Sequence, residues 1–155
     1  MTDHADHADV KIHPPVLLLF HLIAAFLLKW MIPLAIPAPQ GVKVLGLVIL
    51  IAGFLFALDG VVELNRTRTT LSPHGTVSAM VSSGVYRFSR NPIYTGYFCT
   101  LIGLPLSLGN YWGLIISPSL IYFFNELIIK HEEAYLQKKF GDVYTGYRSR
   151  VRRWL

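Results

Sequence analysis

Charge is scarce in this 155-residue chain: only 15% of its residues are Asp, Glu, Lys or Arg, against about 25% in a soluble domain. That leaves too little polar surface for an ordinary solvated globule, and a 53% apolar content with a mean hydropathy of +0.46 excludes a disordered chain as well. Cysteine is reduced to Cys99, so an internal disulfide framework is excluded. Inside an apolar run, that thiol reads as a small hydrophobe. Sustained heptads are missing, which excludes a coiled coil. A signal-peptide pattern is missing too, because the start is acidic and the first apolar run is long enough to stay in a membrane. What remains is a small integral membrane protein, read as one domain over 1–155 with a polar tail at 1–15.

Four apolar runs carry that reading: 16–36, 42–58 with a continuation to Leu64, 93–108 and 111–129. A helix needs about 20 residues to cross the hydrocarbon layer. The first two runs meet that length, the third is short, and Gly109-Asn110 marks a turn between the third and fourth. The expected fold is therefore all-α, with four transmembrane helices whose last two form a hairpin. Twelve of the 14 lysines and arginines then fall on one side, leaving only Lys29 and Lys43 opposite. Basic residues accumulate on the cytoplasmic side, so both termini are expected there, in a bacterial or archaeal inner membrane. The same basic face suits anionic lipid headgroups. Arg148, Arg150, Arg152 and Arg153 have no accompanying base-stacking module, so they are read as lipid contacts and nucleic acid is not expected.

Glycines recur at seven-residue spacing, as Gly46, Gly53 and Gly60 and again as Gly96 and Gly103. Each set lies on one helix face, where small residues let helices approach closely. Close helix packing is the favoured reading over a groove for a lipid tail.

The polar residues gather in two stretches, 59–90 and the region after Asn125, which the four-span topology brings to one face. Between Glu132 and Tyr147 the pattern suits an amphipathic helix broken near Gly141. Glu126 and Lys130 form an i,i+4 pair in the favourable order, and an ionisable residue near the end of a span is also a functional candidate. Asp59 and Glu63 share a helix face and read as interfacial, or as paired with Arg66. His131-Glu132-x-x-Tyr135 lacks the second histidine of a zinc-protease helix. His4, His7 and His13, with Asp3, Asp6 and Asp9, read as a polar terminus rather than a metal site, and no metal is expected.

Two motifs and the hairpin between them resemble the isoprenylcysteine carboxyl methyltransferase family and its relatives, the membrane phospholipid methyltransferases. The motifs are Arg90-Asn91-Pro92-x-Tyr94-x-Gly96 and Glu132-Glu133-x-x-Leu136-x-x-x-Phe140-Gly141-x-x-Tyr144-x-x-Tyr147, with 81–86 leading into the first. The resemblance covers about 65–153. It implies a cofactor-binding half at 65–155 that encloses S-adenosylmethionine against the membrane, and a lipophilic or lipid-modified acceptor entering from the bilayer. Carried over by position, it implies cofactor contacts from Ser78, Ala79, Met80 and Val81, from Tyr86, from Asn91, Pro92, Ile93 and Tyr94, and from Glu132. Arg90, Glu126 and Glu133 are the candidate catalytic residues.

The residue chemistry fits such a ligand. The cofactor's amino-acid part needs a carboxylate for its ammonium, for which Glu132 is suited, and donors for its carboxylate, for which Arg90, Asn91 or loop amides are suited. Tyr86, Tyr94 and Met80 can wall the adenine. Pro92 holds Asn91 in extended or turn geometry. Two positions depart from the family pattern: Asn91 stands where the eukaryotic enzymes usually have histidine, and Ile128 where they have an arginine that holds the substrate carboxylate. The acceptor therefore stays open among a prenylcysteine carboxylate, a phospholipid amine and another small amphiphile. An amine acceptor must first lose a proton, for which Glu126, Glu133 or Tyr94 could serve. A non-catalytic membrane subunit and a sterol-reductase-like, nicotinamide-binding relative are the competing readings.

Overall fold

The computed structural model describes residues 12–67 and 80–155, and these contain helices and no strand. Helix α1 is Pro14–Met31 and α2 is Gln40–Arg66. A short 3-10 turn, Gly84–Arg87, precedes α3, Pro92–Ser107. Helix α4, Trp112–Phe124, runs through a π-helical segment, Asn125–Ile129, into α5, Lys130–Phe140, and α6 follows as Asp142–Arg150.

Among the described residues, three helices are long and apolar enough to cross a membrane: Pro14–Met31, Gln40–Arg66 and the continuous Trp112–Phe140. Helix α3 has 16 residues, which makes it about 24 Å long at 1.5 Å per residue. The fourth apolar run thus does not end at Ile129. Lys130, Glu132 and Glu133, with His131 among them, extend its helix because straight-chain Lys and Glu are good helix formers, and Gly141, at φ +51°, supplies the break before α6. The first run ends its helix at Met31, just before Pro33, where a missing N–H and a fixed φ stop propagation.

The two glycine sets meet. Helices α2 and α3 run antiparallel, with Gly46 against Gly103, Leu106 and Ser107, Gly53 against Gly96 and Cys99, and Gly60 against Pro92 and Ile93. A Cβ on Gly103 would lie 2.6 Å from the Leu50 nitrogen and 2.7 Å from the Gly46 carbonyl oxygen, so the contact is backbone on backbone. This is the close approach that membrane helices use where lipid removes any hydrophobic drive between them. The first turn of α3 is thereby held beside the end of α2.

At the other end, polar groups lock the connections. Lys29 donates to the Leu108 carbonyl at 3.0 Å, Asn110 to the Ala25 carbonyl at 2.9 Å, and Trp112 Nε1 to the Ile32 carbonyl at 2.9 Å. Within α4, Pro118 has no N–H to offer the Leu114 carbonyl, and Ser117 Oγ donates to that oxygen at 2.8 Å. His21, buried in α1, donates from Nδ1 to the Leu17 carbonyl and lies 3.2 Å from Ser119 Oγ, tying α1 to α4. Phe98, Leu101, Leu120, Phe124, Ile128 and Ile129 form the apolar core behind the polar face. The outward faces of α1 and α2, with Phe20, Ile23, Trp30, Val48 and Phe54, stay exposed, as lipid-facing surfaces require.

Gly103→Ala meets only backbone atoms, so it should lower stability by about 1–3 kcal/mol, the usual cost of overpacking. Gly41→Ala meets nothing within 4 Å and should leave stability unchanged or slightly raised. Unfolding of both variants in detergent checks this, and equal effects would contradict the backbone-on-backbone contact.

Candidate functional site

The polar face is built where the turn before α3, the start of α5, and the segment after α6 come together. Asn91 precedes α3, and Pro92 occupies its first position, where the absent N–H is harmless. One turn in, Tyr94 Oη donates to Glu132 Oε1 at 2.6 Å. That is the shortest link between the two sequence motifs.

Glu133, the next residue, is held by two arginines. Arg90 NH2 approaches Oε1 at 3.2 Å, while Arg153 donates to Oε1 through Nε at 3.0 Å and to Oε2 through NH2 at 2.7 Å. Arg90 also donates to the Tyr144 hydroxyl at 3.4 Å, and its buried Nε has no hydrogen-bond partner among the described residues. Glu132, by contrast, has a tyrosine and no cation, since the ion pairs of the described residues take Glu63, Glu126 and Glu133. Among the described residues, the site therefore holds a carboxylate with no cation, next in sequence to the carboxylate that Arg90 contacts, and an Arg90 N–H with no acceptor.

The 3-10 turn carries Tyr86, which is buried, with its carbonyl accepting from Tyr147 Oη at 2.7 Å. Burial first, then Tyr147 and Glu132, push the Tyr86 phenol above the ordinary tyrosine range, so it stays a neutral donor. Burial does the same for Tyr147. Gly84 sets the turn at φ +55°, and a side chain there would strike Glu63. Glu63 in turn accepts from Ser83 Oγ at 3.2 Å and pairs with Arg66 at 3.7 Å. The sequence expectation of a Glu63–Arg66 pair is met, and Glu63 also fastens the turn to α2. Asp59 is exposed.

The structure brings Arg90, Asn91, Tyr94, Glu132 and Glu133 into one hydrogen-bonded neighbourhood, with Tyr86 alongside Glu132. Val81 is buried and Met80 half-buried at the start of the described segment. Pro92 and Ile93 lie against Gly60 of α2. Glu126 pairs with Lys130 at 2.5 Å, apart from the Arg90–Glu133 pairing. Ser78 and Ala79 lie outside the described residues, as do Asp3, His4, Asp6, His7 and Asp9, while His13 precedes α1.

Sequence reasoning assigned no role to Ser89, Asn125, Tyr144, Tyr147 or Trp154, and placed Arg153 among lipid-facing arginines. Ser89 is fully buried and donates to the Arg153 carbonyl at 3.2 Å. Asn125 accepts from Arg153 NH1 at 3.4 Å. The spacing of Tyr144 and Tyr147 after Gly141 was the one available signal, because it puts both rings on one face of α6. Nothing marks Arg153 apart from its neighbours in the basic tail.

The sequence is similar to those of known methyltransferases. The sequence profile of the phospholipid methyltransferases matches residues 42–143. A protein-S-isoprenylcysteine O-methyltransferase of Schizosaccharomyces pombe is 36% identical over 72 residues, 46% of this chain and 30% of its own. Protein-S-isoprenylcysteine O-methyltransferase B of Arabidopsis thaliana is 29% identical over 108 residues, 68% of this chain and 55% of its own. An uncharacterized protein of Haemophilus influenzae is 41% identical over 66 residues, 41% of this chain and all of its own. The chain thus spans about a third of the yeast relatives it matches and about half of the plant one. No solved structure matches it. With a profile match across most of its length and both motifs inside one hydrogen-bonded face, the chain belongs to the phospholipid methyltransferase family.

Proposed function

We propose that this protein is an integral membrane methyltransferase that binds S-adenosylmethionine between the 80–94 segment and the start of α5, and methylates a lipophilic acceptor. One observation carries the reading: among the described residues Glu132 has no cation and Arg90 Nε has no acceptor, and the two are joined through adjacent positions of α5. Unmatched groups of opposite sign at one place are the complement of an amino-acid zwitterion. Glu132 would take the ammonium, and Arg90 with the Asn91 backbone would take the carboxylate. Tyr86 and Tyr94 would wall the adenine with Met80 and Val81, and Ser78 and Ala79 would complete the cradle.

When bound, S-adenosylmethionine supplies an electrophilic methyl group on a sulfonium. For a carboxylate acceptor, this chain's residues then contribute position rather than proton chemistry. The neutral phenol of Tyr94 orients the Glu132 carboxylate, and the half-buried Glu133 holds the arginine donors in place, so that ligand and acceptor meet in line. The chain crosses the membrane four times in this reading, with α3 as the short crossing. Both termini and the 65–92 segment lie in the cytoplasm, and α5 and α6 cover the site there.

The acceptor is lipophilic because the core beneath the polar face is apolar and the helices around it open to lipid. The relatives' names favour a carboxyl group on an isoprenylated cysteine. A phospholipid amine is the second reading, favoured by Ile128, which is fully buried in the apolar core at the position where the family's arginine would hold a carboxylate. Glu126 would then be the proton acceptor after parting from Lys130.

Glu132→Gln preserves shape and removes charge, so affinity for S-adenosylmethionine in detergent should fall by about tenfold to a hundredfold, the worth of a charged hydrogen bond. Calorimetry decides this. No binding by the wild type, or equal binding by the variant, would refute the site. For the acceptor, label from the methyl donor is offered to a farnesylcysteine analogue, phosphatidylethanolamine and total membrane lipid in parallel. Base-labile label in the cysteine analogue is expected for a carboxyl ester, and base-stable label in the lipid would establish the amine instead.

A further inference from the structure

Arg153 lies beyond α6, yet it bonds to the turn before α3, the π-helical segment and the start of α5. Its guanidinium spans both oxygens of Glu133 and reaches Asn125 in the π-helical segment. Its carbonyl accepts from Ser89 Oγ at 3.2 Å and from Asn91 Nδ2 at 3.1 Å, and the Arg152 carbonyl accepts from the Arg90 N–H at 2.9 Å. Trp154 then seats edge-on against Phe98, with ring centres 5.0 Å apart, which anchors the segment in the core.

The pairing around Glu133 is unequal. Arg153 makes the two-bond fork, the stronger geometry for a guanidinium and a carboxylate. Arg90 is left with a 3.2 Å contact, a 3.4 Å bond to Tyr144 and a buried Nε without an acceptor. Two guanidiniums face one carboxylate, so one positive charge is left over, and the fork leaves it on Arg90.

We infer that Arg153 is a positioning residue: by occupying Glu133 with a fork, it keeps Arg90 from closing on that carboxylate and reserves Arg90 Nε–H for the anionic end of the bound ligand. This rests on the proposed S-adenosylmethionine site. In Arg153→Gln, Glu133 is free to form the fork with Arg90 instead, and the donor is lost to the ligand although Arg90 is still present.

The inference makes a suppressor prediction that a merely structural role would not. Affinity of the full-length protein for S-adenosylmethionine is measured by calorimetry in detergent, with thermal unfolding to verify that each variant is folded. Arg153→Gln should weaken binding by about tenfold or more, since one charged hydrogen bond is removed from the ligand. Adding Glu133→Gln should restore much of that loss, because the competitor for Arg90 is gone. If Arg153→Gln does not fold, Arg153→Lys is compared with its Glu133→Gln double variant instead; lysine keeps the charge but cannot make the fork, and the same recovery is expected. Unchanged binding in the single variant, or a double variant that binds no better than the single, overturns the inference while the proposed function stands. A wild-type protein that takes up no cofactor overturns both.

Discussion

The carboxylate of Glu133 sits between two guanidiniums that come from opposite ends of the C-terminal half, Arg90 before α3 and Arg153 after α6. Its side chain is only 12% exposed and that of Arg90 10%, so these two charges have little water to fall back on, while Arg153 keeps part of its guanidinium in the open. Removing one partner from such a cluster costs far more than the intact cluster contributes to stability. What it supplies is placement. The turn at 89–91, the start of α5 and the last residues of the chain can meet in only a few ways once one largely covered carboxylate must satisfy both arginines. The neighbouring Glu132 and Tyr94 are carried into position by that agreement.

The placement needs a fixed frame beneath it. Backbone contact between α2 and α3 determines how far α3 rises, and hence the height of Arg90 and Tyr94 above the apolar core. The π-helical segment at Asn125–Ile129 does the same for α5. A π turn widens the helix by one residue and so rotates everything beyond it, and Asn125 at its start is tied to Arg153. Apolar packing thus sets the level of the site, while the buried charges set its lateral arrangement.

Much of this was readable before any coordinates. The seven-residue glycine spacing encodes the α2–α3 contact, because only one face of each helix can carry it. The Arg90–Tyr94 and Glu132–Glu133 motifs named the two segments that meet. The continuity of α4 into α5 was not readable, because the four polar residues from Lys130 look like the end of a span when hydropathy alone is followed. The π segment leaves no compositional trace, since its residues Asn-Glu-Leu-Ile-Ile suit an α-helix equally well. Arg153 was hidden for a different reason: its partners are 20 to 64 residues away in sequence, and a basic tail beside a membrane reads as a headgroup contact until the fold shows one of its members turned inward.

The central claim is that the polar face at Glu132 and Arg90 is where the methyl donor binds. Ultraviolet crosslinking of methyl-labelled S-adenosylmethionine to the detergent-solubilised protein, followed by peptide mapping, tests it most directly. The account predicts label in peptides carrying Tyr86 to Tyr94 or the start of α5, suppressed by excess S-adenosylhomocysteine. Label confined to α1 and α2, or label that the competitor does not displace, would contradict it.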